Sequence, residues 1–492
     1  MTALDPLRSA LSTRARDDTS LAVPSDSKLR TGPQRVLEQV HTIKRSKSKP
    51  GKNGSLINSV ENMSDMTLKQ AVEFLTHPDE NYQQCGANFI HHTTFKEEGT
   101  KQEVFQLGGI PALVSLLRSP NPGVNQATAG ALRNLVFKDQ DNKLEVQHCG
   151  GIAKSLQLLK ETDSTETQKQ ITGLLWNLSS ADALKKELIA TALPALTENV
   201  VVPFTCWSDN CAKNNVHPDV FYSATGCLRN LSCSQEKERT AMRECHGLID
   251  SLMSYIQSCV AEENPDDKLS FDTVRGSPED APPSGVKWLC HPKAMQTYLS
   301  LLASSKKGAT LEACCGALQN LTANKGMGAS AMSEIMVQKL GALQYIVPLL
   351  KSPDQSLQKT AMSLLGNMSR TSSLQNSMAK QILPDLTSLL SAGPREMGNN
   401  DQTIATACKT VRSIMLADTA VSKKLINKEL VSSVADLSEN NSFPKGSKAA
   451  SRLLYSLWNE KNFQGVVKKL GMGKTVFVND KTTAIHKSMQ IE

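Results

Sequence analysis

The sequence predicts an all-α fold built as a solenoid of stacked helical repeats, and three observations predict it. A phrase with one asparagine inside an apolar run recurs along the chain: GALRNLVF at Asn134, GLLWNLSS at Asn177, GCLRNLSC at Asn230, GALQNLTA at Asn320 and SLLGNMSR at Asn367. The spacing is a ruler: Asn134 to Asn177 is 43 residues, Asn320 to Asn367 is 47, and the degenerate copies TVRSIML and RLLYSLW put Ser413 and Ser456 46 and 43 further on. A companion phrase runs in step about 25 residues upstream, as GGIPALVSLL, GGIAKSLQLL, LGALQYIVPLL, QILPDLTSLL and KELVSSVADL. Periods of this length mark helical repeats, and two phrases per period mean two main helices per repeat.

Before the repeats, residues 1–64 read as a largely disordered basic head. Between Lys28 and Lys52 stand eight Lys and Arg against Glu38 alone, a surplus of seven that equals the net charge of +7 of the whole chain. Proline, serine and glycine fill the same stretch, leaving Leu21–Pro24 and Val36–Val40 as short docking motifs. The run Lys44, Arg45, Ser46, Lys47, Ser48, Lys49 reads as a nuclear-import signal, an anionic-surface contact, a phosphorylation switch at Ser46 and Ser48, or a plain solvating run.

Within the repeats, helical spacing accounts for the apolar residues. The pairs Leu132 and Leu135, Leu175 and Leu178, Leu228 and Leu231, Leu318 and Leu321, and Leu365 and Met368 sit two before and one after each asparagine, on one helix face, and are expected core. Four residues before each asparagine stands Gly130, Gly173, Gly226, Gly316 or Ser363. A mid-helix glycine costs about 1 kcal/mol relative to alanine, so its recurrence implies close helix contact. The asparagines then align in a row along one surface. Each amide either ties down a neighbouring helix end or pairs with the backbone of an extended peptide, and the two uses are compatible.

The ruler breaks once. Asn230 to Asn320 spans 90 residues with no intermediate asparagine helix; instead HGLIDSLMSYIQSCV leads into an acidic, proline-rich stretch. The expected organisation is a head at 1–64, repeats at 65–260, a linker at 261–287 replacing part of a repeat, further repeats at 288–470 and a tail at 471–492.

Catalytic and metal signals are poor. GMGKT at 471–475 lacks the glycine that a phosphate loop needs at position 468, where Lys468 stands. Cys206, Cys211 and His217 cluster loosely around Trp207 without a tight Cys pair. His91 and His92 align with the ladder position of a degenerate first repeat and read as core or groove lining. The expectation is no enzyme, no metal and no cofactor. The N-terminus carries arginines and aspartates where a signal peptide needs an apolar core, and no stretch approaches 18 uncharged apolar residues, so no membrane insertion is expected. Twelve scattered cysteines suit reduced thiols, and the sequons at Asn177, Asn230, Asn320 and Asn367 are then not glycosylated.

The asparagine-bearing third helix, the GGI start and the period resemble armadillo repeats. KQEVFQLGGI, AGALRNLVFKDQDNKLEV, QKQITGLLWNLSS, HGLIDSLMSYIQSCVAE and LEACCGALQNLTANKG resemble one branch of them, the plakophilins, and the opening SLAVPSDSKLRTG with QRVLEQVHTIKRSKSK resembles the start of the head of that family. The resemblance implies a right-handed armadillo superhelix of about nine repeats, one incomplete. It further implies a scaffold of the desmosomal plaque, monomeric within that plaque, which gathers desmosomal cadherin tails, plakoglobin, desmoplakin and keratin filaments, with cytoplasmic and nuclear pools. The head is far shorter than is usual in the family.

An armadillo nuclear transport adaptor is the alternative, and the residues before each asparagine discriminate. A groove for lysine-rich signals resembles rows of tryptophan, whereas here stand Arg133, Trp176, Arg229, Gln319 and Gly366. Arg133 and Arg229, joined by Lys138 and Lys143, favour an acidic ligand. Nucleic acid, including nucleic acid met in the nucleus, is a third option, though aromatics are only 4% of residues.

Overall fold

The computed structural model describes residues 66–96, 99–205, 216–263, 283–324 and 326–488, and every element among them is helical. The expected head, with Lys44, Arg45, Ser46, Lys47, Ser48 and Lys49, lies outside the described residues, as do Cys206, Trp207, Cys211 and most of the segment 261–287.

Two compact units divide the described chain, with the boundary between Tyr255 and Ile256. In the N-terminal unit, a long helix from each repeat packs on the next: Glu80–Lys96 on Pro122–Leu135, that on Thr165–Leu178, and that on Pro218–Leu231. In the C-terminal unit the corresponding series is Gly308–Thr322, Gln355–Met368, Asp401–Ala417 and Pro444–Asn459. These are the helices that carry the recurring asparagine phrase or its degenerate copies. Their apolar pairs are the core: Leu132, Leu135, Leu175, Leu178, Leu228, Leu231, Leu318, Leu365 and Met368 are all fully buried, and Leu321 is half-buried.

Local chemistry starts these helices where the sequence places them. The side chain of Asn121 accepts from the Gly123 and Val124 amides ahead of Pro122, whose fixed φ suits the first helical turn. Ser164, Asp354 and Asn400 cap the helices that follow them in the same way. The GGI phrase splits its two glycines between two tasks. Gly108 and Gly150 adopt φ of 72° and 73°, the left-handed region that glycine enters without a Cβ penalty, and so end one helix and turn into the next. Gly109 and Gly151 instead make room: a Cβ on either would lie 2.6 Å or 2.5 Å from Cγ1 of Val104 or Val146.

One expectation on apolar runs is corrected. The helical run Asp182–Thr205 has the length and hydropathy of a membrane span, because its last eighteen residues carry a single charge, Glu198. It buries Leu184, Leu188, Ala192, Leu193 and Leu196 in the N-terminal unit. Pro194 interrupts it, and a π-helical turn follows at Thr197–Val201. A core helix of a stack buried on several sides passes the same composition test as a span.

The segment 471–492 carries the helices Lys474–Phe477 and Asp480–Ser488, both packed on Pro444–Asn459. Phe477 is fully buried against Trp458, with ring centroids 5.4 Å apart, and His486 stacks on Tyr455 at 4.1 Å.

Candidate functional site

The recurring asparagines form one row in each unit, and the structure shows what their amides hold. Asn134 Nδ2 donates to the His91 carbonyl at 2.9 Å, Asn177 Nδ2 to the Arg133 carbonyl at 3.0 Å and Asn230 Nδ2 to Ser179 Oγ at 3.0 Å and the Trp176 carbonyl at 3.5 Å. Asn367 Nδ2 donates to the Gln319 carbonyl at 3.1 Å and to Thr322 Oγ1 at 3.2 Å. In every case the acceptor carbonyl belongs to the residue just before the ladder position of the preceding repeat. The carbonyls of Arg133, Trp176 and Gln319 lie in last helical turns, where the helix supplies no backbone donor, and the next repeat caps them. The same register places His92 at the ladder position of the first repeat.

Asn320 is the exception. It is the first ladder asparagine of its unit, and among the described residues its side chain makes no hydrogen bond. The Oδ1 of Asn367 accepts from Arg370, whose guanidinium also reaches the Thr322 and Ala323 carbonyls at 3.0 Å.

The residues before the asparagines explain the glycines. A Cβ on Gly130 would lie 2.8 Å from the His91 ring, one on Gly173 2.5 Å from Arg133 Nε, and one on Gly226 2.5 Å from the Trp176 indole. Each bulky side chain therefore lies across the glycine of the next repeat. Where the bulky residue becomes Gly366, the next repeat brings Thr406 and Thr410 up to it, and a Cβ there would lie 2.7 Å from Thr406 Cγ2. Sequence reasoning missed this pairing, although a large residue at one position facing glycine about 40 residues later is a legible signal.

The basic residues divide by environment. Arg133 is half-buried, its Nη1 donates to Gln170 Oε1 at 3.3 Å, and burial lowers its pKa while Glu166 and Asp219 oppose the shift. Lys143 is buried with its ammonium 2.9 Å from Ser180 Oγ, and desolvation lowers its pKa too. Lys138 is exposed, holds a left-handed φ of 56° and places its ammonium 5.3 Å from the Phe137 ring centroid. Lys101 approaches the same ring at 5.5 Å and donates to the Phe137 carbonyl at 2.8 Å. Arg229 and Trp176 are half-buried, Trp176 meeting Tyr222 edge-on at 5.3 Å. The N-terminal row thus presents Arg133, Trp176, Arg229 and Lys138 beside the asparagines, while Lys143 is committed to the packing of its own stack. His217, from the loose cysteine cluster, caps the helix Pro218–Leu231 through Nδ1. No group of three His, Cys, Asp or Glu suited to a metal occurs among the described residues.

Stacked three-helix repeats locked by an inter-repeat asparagine ladder define an armadillo-repeat protein, and the Armadillo/beta-catenin-like repeat profile matches residues 98–137 and 139–180. The chain is 38% identical over 490 residues to Plakophilin-2 of Mus musculus, covering 87% of this chain and 61% of that one. It is also 38% identical over 510 residues to Plakophilin-2 of Danio rerio, covering 91% of this chain and 62% of that one. Catenin delta-2 of Homo sapiens is 29% identical over 495 residues, covering 85% and 40% of the two chains. Over most of its length the chain is similar to the plakophilins. It spans about three fifths of the length of these Plakophilin-2 relatives. The crystal structure of an engineered protein, 17% identical, shares the fold with a TM-score of 0.54 over 84% of this chain and 100% of that one. The opening box SLAVPSDSKLRTG, expected to resemble the start of a plakophilin head, lies outside the described residues.

Proposed function

We propose that this protein is a scaffold of the desmosomal plaque that links desmosomal cadherin tails, plakoglobin and desmoplakin to keratin filaments through protein–protein binding, with junctional, cytoplasmic and nuclear pools. The observation that carries the reading is the N-terminal row: Arg133, Trp176 and Arg229 recur beside the asparagines on helices held in register by one inter-repeat bond, and Lys138 stands exposed in the turn just after the first of them. Three cations to one indole suit an acidic extended peptide better than a lysine-rich signal, which needs aromatic faces and carboxylates. The head supplies a second binding element, and joining two moderate sites on one chain raises avidity without new contacts.

The test compares the full chain with the variants Arg229→Glu/Lys138→Glu and Arg133→Glu/Arg229→Glu against acidic cadherin-tail peptides at low and high salt. Parental affinity should fall with salt, because exposed charges are screened over a Debye length of about 10 Å at 0.1 M. Variants that bind as tightly as the parent at low salt would remove the basic row from the mechanism. Proximity labelling of the full chain in epithelial cells reads the partners, and failure to label plaque proteins would refute the junctional assignment.

A further inference from the structure

On the helices that follow the ladder helices in the N-terminal unit, an open depression of about 710 Å³ joins three successive repeats. The helices Thr100–Gln106, Gln140–His148 and Asp182–Leu196 supply it. Phe105 and Leu144 line it and stand 38% exposed, where large apolar side chains of these helices otherwise point into the core. Around them lie Asp141, Glu145 and Glu187, and neither Lys nor Arg joins the lining among the described residues. Gln147 Nε2 holds Glu187 in place at 2.6 Å. An apolar floor with a carboxylate rim suits a short segment that is apolar on one side and cationic at its ends.

The chain itself carries such a segment. Val36, Leu37, Val40 and Ile43 fall at the i, i+1, i+4, i+7 spacing of one helix face and are bracketed by Arg35 on one side and Lys44 and Arg45 on the other, with Glu38 the one acidic residue between. The twenty residues between Arg45 and Met66 reach up to about 66 Å when extended. That is ample, since Leu68–Leu75 packs directly on the helix that bears Phe105. We infer that residues 35–45 dock intramolecularly into the depression lined by Phe105 and Leu144, with Arg35, Lys44 and Arg45 facing Asp141, Glu145 and Glu187. This inference is independent of the basic row. It gives Ser46 and Ser48 a role, because a phosphate adds a charge of about −1.5 to −2 beside the carboxylate rim and disfavours the docked state.

The experiment uses the full chain with p-benzoylphenylalanine in place of Phe105, irradiated at low concentration and mapped by mass spectrometry. Cross-links within one chain to residues 35–45 are expected. The yield should fall at least about five-fold in Glu145→Lys/Glu187→Lys, in Arg35→Glu/Lys44→Glu/Arg45→Glu and in Ser46→Glu/Ser48→Glu, as several exposed ion pairs each worth a fraction of a kcal/mol are reversed. The head variants leave residues 66–488 unchanged in sequence, so they keep the test sound if Glu145→Lys/Glu187→Lys misfolds. Cross-links to other segments, cross-linked dimers, or a yield indifferent to the head charges would each overturn the inference.

Discussion

The side-chain amide of Asn177 donates to the main-chain carbonyl of Arg133 at 3.0 Å, joining residues 44 apart in sequence. Its removal leaves a half-buried carbonyl without a partner, whereas Asn320 has no such bond to lose. Asn177→Ala should therefore destabilise the N-terminal unit by about 1–2 kcal/mol, and Asn320→Ala should stay within about 0.5 kcal/mol of the parent in urea unfolding. Equal costs at the two positions would refute the carbonyl-capping role.

The glycines of the ladder helices make a second contrast. Gly226→Ala would put a methyl 2.5 Å from the Trp176 indole, a rigid ring already held edge-on by Tyr222. The clash costs about 1–3 kcal/mol and exceeds the roughly 1 kcal/mol that alanine gains in helix propensity. Gly465 lies inside the helix Gln464–Lys469, and a Cβ added there would meet no heavy atom within 4 Å. Gly465→Ala should therefore stabilise by up to about 1 kcal/mol. Thermal melts of the two variants should shift in opposite directions.

How much of this was legible in the sequence follows from how far apart the partners stand. The period, the apolar pairs and the ladder asparagines are local patterns, and the helices Pro122–Leu135, Thr165–Leu178 and Gln355–Met368 lie where those patterns put them. The acceptor of each amide lies 43 to 54 residues away and the side chain over each of Gly130, Gly173 and Gly226 lies 39 to 50 residues away, in the neighbouring repeat. Charge type was legible, but environment was not: Lys138 and Lys143 look alike in sequence, yet one is exposed and the other buried against Ser180. The apolar run ending at Thr205 was missed as a span-like segment because Glu198 and the prolines break it to the eye, while its mean hydropathy stays high.

The C-terminal helices offer a third test. Phe477 is fully buried against Trp458, so Phe477→Ala should cost about 3–5 kcal/mol in the C-terminal unit. Near-parental urea unfolding would show that the last helices do not seal the stack.

The last prediction concerns pH. His91 lies against Gly130, with His92 stacked 5.5 Å away and Arg133 nearby. Burial, then the neighbouring His92 and Arg133, lowers its pKa to about 4. The unfolded chain binds a proton at this site near the ordinary value of about 6.5, so the unfolded state holds more protons between these two values. The contribution of neutral His91 is accordingly complete above about pH 6.5 and is lost as pH falls toward 4, by up to roughly 3 kcal/mol. His486 is shifted in the same direction by burial, Arg452 and Arg412, and adds to the slope. Melting temperatures of the parent should fall steeply between pH 7 and 4.5, and His91→Gln, which carries no titratable ring, should fall less over the same interval. Parallel curves for the two proteins would show that His91 does not titrate on unfolding.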